Sequence, residues 1–158
     1  MILRPRETRD DKGFTLIELM VVVLIIGVLL AIAIPTFLGA RQRAEDRSAQ
    51  SSLRNALSAA QVIYTDNSDY TTALKPALDA AEPSLTYSAT AAAVSTGNKN
   101  ISVAATATEW GGAVLSKSGK CFTININAGP VGAGTTYGTP TAATCTGTVA
   151  LTAALPKW

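Results

Sequence analysis

Chemistry in this chain has to come from a short inventory of side chains. Glu18 stands at the edge of a run that holds no other charge: Leu19 to Ala40 reads LMVVVLIIGVLLAIAIPTFLGA, 22 residues without Asp, Glu, Lys or Arg. A carboxylate in that setting calls for a compensating partner. The two cysteines, Cys121 and Cys145, both lie in the C-terminal third, and there is no histidine. That removes the commonest general base, the commonest metal ligand and the usual triad member. Zinc would need two ligands beyond the cysteines, and the neighbouring residues do not supply them. If the C-terminal part lies outside the cytoplasm, the thiols read as a disulfide. It would close a loop of about 25 residues, worth roughly 3.5 kcal/mol on the chain-entropy model.

The element that positions Glu18 is the apolar run itself. At about 1.5 Å of rise per residue, a helix over Leu19–Ala40 covers roughly 33 Å, enough for a bilayer core of about 30 Å. A carboxylate costs on the order of 2.5–3.5 kcal/mol at mid-membrane and less near the edge. The whole chain is 47% hydrophobic and 15% charged, and the apolar surplus is concentrated in residues 16–38. A net charge of +2 is too small to require a nucleic-acid partner.

Three readings compete for residues 1–40. A secretory signal peptide has a shorter apolar stretch and a small-residue cleavage site, and Pro35-Thr36-Phe37-Leu38-Gly39 offers no good Ala-x-Ala pattern. A plain membrane anchor explains the length and leaves Glu18 unaccounted for. The third reading starts from residues 1–13, where Arg4, Arg6, Arg9 and Lys12 stand among Glu7, Asp10 and Asp11, ending in Gly13. A short charged leader, then Gly, then Phe-Thr-Leu-Ile-Glu, resembles the class III signal peptides of type IV prepilins. The resemblance covers residues 12–40 closely and its motif is specific. It implies a membrane peptidase that cuts between Gly13 and Phe14 on the cytoplasmic side and methylates the new Phe14 amine. The basic leader independently favours a cytoplasmic N-terminal side. The C-terminal part then faces outward, where a disulfide persists.

Cleavage would give Phe14 a free amine, largely cationic at neutral pH with an unperturbed pKa of about 7.7–8.0. It lies four residues before Glu18, in the same first turn and at the positive end of the helix dipole. The resemblance also implies that, on assembly, Glu18 pairs with the Phe14 amine of a neighbouring subunit in an apolar filament core. The bland alternative is a glutamate snorkelling at the membrane edge. Gly27 and Pro35 punctuate the run, and Pro35 predicts a kink or local loss of helix. The resemblance points to unwinding between them in the assembled state, against a simple bent helix.

Beyond Ala40 the chain turns charged, while Ala49, Leu53, Ala56, Leu57, Ala60, Ile63 and Tyr64 continue on one helical stripe. One helix is predicted over about 15–65, ended by Thr65-Asp66-Asn67-Ser68-Asp69. The arginine cluster after Ala40 reads as a solvated face or as a contact to lipid headgroups or neighbouring subunits. Residues 66–100 read as a loop with a short helix near 72–81. Ile101 opens a strand; Ala113–Ser116 and Cys121–Asn127 form a hairpin around Lys117–Lys120, with Phe122, Ile124 and Ile126 on one side. Trp110 and Phe122 are candidate anchors for the helix stripe. Residues 128–144 read as a surface loop and Val149–Leu151 as a last edge strand. The plan is α+β, a long N-terminal helix packed on a C-terminal antiparallel sheet, as in the pilin fold that the resemblance implies. Its expected divisions are a leader over 1–13, an apolar helix over 14–40, its amphipathic continuation over 41–65 and an extracellular head over 66–158.

No catalytic constellation emerges, and neither enzyme activity nor a cofactor is expected. Ser118-Gly119-Lys120 and Gly129–Gly134 lack the spacing of phosphate loops and read as turns. Asp66, Asp69, Asp79 and Glu82 match no calcium-loop spacing. Asn100-Ile101-Ser102 is a glycosylation sequon with little to favour its use. The expected function is a structural subunit of a type IV pilus, a major or abundant one because Glu18 is retained. It would be held in the cytoplasmic membrane and then exported into a filament on the bacterial surface. Its expected partners are other copies of itself, the prepilin peptidase and methyltransferase, an assembly platform, and membrane lipid before assembly. The alternatives are a type II secretion pseudopilin and a membrane-anchored extracellular binding protein. The cysteine pair and the acid-poor C-terminal region argue against the main calcium-binding pseudopilin.

Overall fold

A computed structural model of the chain describes residues 13–140 and 145–152. The leader before Gly13 therefore lies outside the described residues, as does Lys157. The chain forms two compact units, one ending at Gly39 and one beginning at Ala40.

In the first unit every residue from Gly13 to Leu38 is exposed. Helix α1 runs Leu16–Asn67 and continues through both Gly27 and Pro35. Proline withdraws one ladder donor there, and the Thr36 hydroxyl donates to the carbonyls of Ala33 (2.9 Å) and Ile32 (3.2 Å).

In the second unit α1 buries Ala49, Leu53, Ala56, Leu57, Ala60 and Ile63, one side of the helix at steps of three and four residues. The helix stops where Ser68 takes a left-handed backbone (φ 55) and its N–H donates to the Tyr64 carbonyl at 2.7 Å. A 3-10 turn, Tyr70–Thr72, follows, capped by Asp69, then helix α2, Lys75–Ala81, with Pro76 in its first turn.

The sheet carries five strands in sequence order: β1 Thr86–Tyr87, β2 Asn100–Ala105, β3 Glu109–Leu115, β4 Cys121–Asn127 and β5 Gly134–Gly138. β2 to β5 form an antiparallel meander, and the two-residue β1 pairs with β2 in parallel, so the sheet is mostly antiparallel, as expected. Side-chain alternation divides the two faces. Ile101, Val103, Trp110, Val114, Phe122 and Ile124 join the buried residues of α1 in one core. Trp110 is fully buried and its indole N–H donates to the Ala73 carbonyl at 3.1 Å. On the other face sits a third helix, α3, Gly147–Thr152.

Three expectations need correction. Val149–Leu151 are helical, because β5 already occupies the edge beyond β4 and leaves residues 147–152 to cover the sheet face. Residues 128–144 are not all loop: Thr135, Thr136 and Tyr137 pair with β4 between two glycines. The hairpin's first arm begins at Glu109 rather than Ala113. Gly111 and Gly112 lie inside that strand because each carries a close neighbour where a side chain would stand. A Cβ on Gly111 would lie 3.1 Å from Ala150 and Leu151 of α3, and one on Gly112 would lie 3.0 Å from Leu53 of α1.

Candidate functional site

Thr15-Leu16-Ile17-Glu18 closes a capping box at the start of α1. The Thr15 N–H and hydroxyl donate to Glu18 Oε2 at 2.9 and 2.6 Å, and the Glu18 N–H donates back to Thr15 Oγ1 at 3.3 Å. This satisfies backbone donors that no preceding turn can reach. Sequence reasoning missed the role of Thr15, although the signal was there: threonine, two residues, glutamate, then an apolar run. Phe14 is 83% exposed just before the box, and nothing approaches Gly13 within 4 Å of where a Cβ would sit. In the uncut chain Phe14 contributes a peptide nitrogen, so the cation expected opposite Glu18 does not yet exist. Both Thr15 bonds fall on Oε2, and Oε1 has no partner among the described residues.

After the box come 15 exposed large apolar side chains from Leu19 to Leu38, and α1 is long and apolar enough to cross a membrane by length and composition. The arrangement can do two physical things. It can dissolve in lipid, and it can pack against copies of itself while presenting one carboxylate oxygen to a cation.

In the second unit, the first turns of α1 are tied to two loops. Asp46 accepts hydrogen bonds from Ser116 Oγ at 2.8 Å and Ser118 Oγ, and pairs with Lys120 Nζ at 2.9 Å. Burial would raise the Asp46 carboxyl, but the bonds from Ser118, Lys120 and Ser116 outweigh it and hold the pKa below the usual range. One helical position earlier, Glu45 accepts from Asn98 Nδ2 at 2.6 Å, and Asn98 Oδ1 accepts from the Lys117 N–H at 2.9 Å. Asp46 escaped the sequence reading because its partners lie 70 to 74 residues away.

Cys121 and Cys145 are joined by a disulfide with Cα atoms 5.6 Å apart. The remaining candidates separate. Asp69 caps a turn through Thr71, Asp79 pairs with Lys75 at 2.9 Å, and Glu82 accepts from Ser84. Among the described residues no three His, Cys, Asp or Glu side chains are placed to hold a metal. Asn100 of the sequon is engaged on both sides of its amide, by Thr96 and Thr86. Ser118-Gly119-Lys120 is the β3–β4 turn, with Gly119 at φ 90.

A long helix, apolar at its start and packed later on an antiparallel meander, is the arrangement of the α+β pilin fold, and here it stands behind Gly-Phe-Thr-Leu-Ile-Glu. Residues 8–34 match the prokaryotic N-terminal methylation motif. The chain is similar to the type IV wide pilus major component PilA4 of Thermus thermophilus, 44% identical over 63 residues that cover 40% of this chain and 48% of that protein. It is similar to the type IV major pilin protein PilA of Myxococcus xanthus, 42% identical over 60 residues covering 38% and 27%. It is likewise similar to the type II secretion system core protein G of Escherichia coli, 37% identical over 67 residues covering 42% and 46%. Each match thus spans half or less of the relative. No solved structure matches. The matches, to type IV pilins and to a type II secretion core protein alike, support a type IV pilin-family protein.

Proposed function

We propose that this protein is the structural subunit of a type IV pilus. The observation that carries the reading is the fully exposed apolar stretch of α1 beginning in a capped Glu18 directly after Gly13-Phe14. Residues 1–13 are a leader removed by a prepilin peptidase, and Phe14 becomes the methylated N-terminus. Residues 14–40 then hold the subunit in the cytoplasmic membrane, with the head outside, until an assembly platform moves it into a filament. There Glu18 meets the Phe14 amine of a neighbour, in a core where an unpaired carboxylate is costly. Oε1, without a partner among the described residues, suits that role, because Glu18 can take the amine and keep its own cap. Unwinding between Gly27 and Pro35 belongs to that assembled state. The subunit needs no catalysis for any of this.

The matches to type II secretion core protein G support a second reading, a pseudopilin that polymerises by the same N-terminal logic. Two measurements separate the possibilities. Shearing cells and sequencing the released filament protein should give a chain starting at methylated Phe14; a mature chain starting at Met1 refutes the processing. Deleting the gene should remove surface filaments. A deletion that leaves filaments in place and blocks release of secreted proteins favours the pseudopilin.

A further inference from the structure

The second unit is electrically lopsided along α1. At the start of the helix Arg41, Arg43 and Arg47 are exposed, and the loops fastened there through Glu45 and Asn98 add exposed Lys99 and Lys117. Glu45, Lys99 and Lys117 line one surface depression. Two acids stand at this end, Asp46 paired with Lys120 and Glu45 held by the neutral Asn98 amide, so the cations outnumber them, just as Asp69 and Glu109 keep their charge beside the neutral Thr71 and Asn127 at the other end. At the other end of the helix the sign reverses. Asp66 lies in the last turn of α1, Asp69 follows it, and the Tyr70 N–H donates to the Ala107 carbonyl, which brings the β2–β3 turn and Glu109 to the same end. Lys75, the nearest cation in sequence, is paired with Asp79. Twenty-three helical residues separate Arg43 from Asp66, about 35 Å at 1.5 Å per residue. That exceeds a Debye length of about 8 Å several times, so the two ends cannot neutralise each other within one head.

We propose that two copies of this chain meet head to tail, the basic end of one (Arg43, Arg47, Lys99, Lys117) against the acidic end of the next (Asp66, Asp69, Glu109). A contact between unlike surfaces does not use itself up on pairing and propagates into an open filament. Opposed charge fixes polarity and register and repels a reversed copy. The proposal rests on the polymer reading above and names a surface that reading does not specify.

Zero-length carbodiimide coupling on cells producing the full chain, followed by peptide mass spectrometry, tests it. The expected products are amides from Lys99 or Lys117 to Asp66, Asp69 or Glu109. Lys117 and Glu109 stand at opposite ends of β3, eight residues and about 26 Å apart at 3.3 Å per residue, so such links cannot form within one head. Reversing one end (Arg47→Glu with Lys99→Glu, or Asp66→Lys with Glu109→Lys) should lower sheared filament yield about tenfold at low ionic strength. Combining all four changes in one chain should restore it, which a folding defect would not allow. Normal filaments from both single-end reversals, without the links, overturn the contact and leave the polymer reading standing. Links in cells that make no filament do the reverse. A basic-end reversal that weakens only binding to phosphatidylglycerol vesicles, with filaments unchanged, overturns the proposal in favour of a lipid surface.

Discussion

The Thr15 hydroxyl, just before α1, donates to Glu18 Oε2 in its first turn at 2.6 Å, the same oxygen that takes the Thr15 N–H. Leader removal between Gly13 and Phe14 leaves the Thr15 N–H and hydroxyl intact, so the cap outlasts processing. On the proposed function Glu18 would then act twice, ordering its own helix start through one oxygen and offering the other to an amine. Glu18→Ala should keep membrane insertion and lose filaments by more than tenfold, whereas Thr15→Ala should cost roughly a few-fold, the usual reach of one helix cap. Electron microscopy of filaments beside membrane fractionation checks both. Normal piliation in Glu18→Ala would sink the assembly role.

Asp46 gives the head a pH dependence. Its folded pKa lies below the ordinary value, because the bonds from Ser118, Lys120 and Ser116 overcome burial. A lowered folded pKa means stability present above the unfolded value of about 3.9 and lost as pH falls through the folded one. Asp46→Ala should destabilise the head by about 1–3 kcal/mol at neutral pH, since it strands the buried Ser116 hydroxyl, while the exposed Lys120 turns to solvent. In detergent-solubilised protein, thermal unfolding of the parent should worsen below about pH 4, and the variant should show a shallower fall. Equal slopes for the two chains would remove Asp46 as the cause.

Periodicity made the buried stripe of α1 legible from Ala49 to Ile63, because a helix packed on one side records that side locally. Alternation likewise showed the inward face of β4, Phe122 and Ile124. The features that were missed depend on partners distant in sequence. Gly111 and Gly112 weaken a strand by composition, and only Ala150 and Leu53 explain them. Val149-Ala150-Leu151 is too short for either period to decide, so the occupied edge beyond β4 settles its helical state. Thr15 is legible too, since threonine, two residues and glutamate at the head of an apolar run spell a capping box. The Asp46 network could not be read at all, since Ser116, Ser118 and Lys120 form an ordinary polar turn until the fold brings them to the helix.

The disulfide should stabilise one face of the head rather than all of it. Cys121 and Cys145 pack with Ala113 and Leu115, apart from the core that α1 shares with Trp110. The Cys145 carbonyl also accepts from the Ser95 N–H at 2.9 Å, and α3 begins two residues later. Replacing both cysteines by serine should cost about 3 kcal/mol on the loop-closure model. Hydrogen exchange should rise first in residues 145–152 and β5, while the buried turns of α1 stay protected. Uniform loss of protection across the head would contradict this division.

Gly147 is the tightest backbone approach in the head. A Cβ there would strike the Val103 carbonyl carbon and stand 2.5 Å from the Ala104 nitrogen. These are main-chain atoms of β2, held in the sheet on both sides, so they cannot swing away as a flexible side chain would. Gly147 also donates its N–H to Ser102 Oγ at 2.8 Å, and Ser102 passes its own hydroxyl hydrogen to the Ala93 carbonyl at 2.5 Å. Any shift that relieved the clash would therefore pull α3 off its bond to Ser102 and off the bond from the Thr148 N–H to the Ala91 carbonyl. Gly147→Ala should destabilise the head by about 1–3 kcal/mol, the usual range for overpacking a close contact, despite the higher helix propensity of alanine. Thermal unfolding measures the loss, and rapid exchange of the α3 amides locates it. A variant as stable as its parent would mean that α3 sits further from β2 than this geometry holds it.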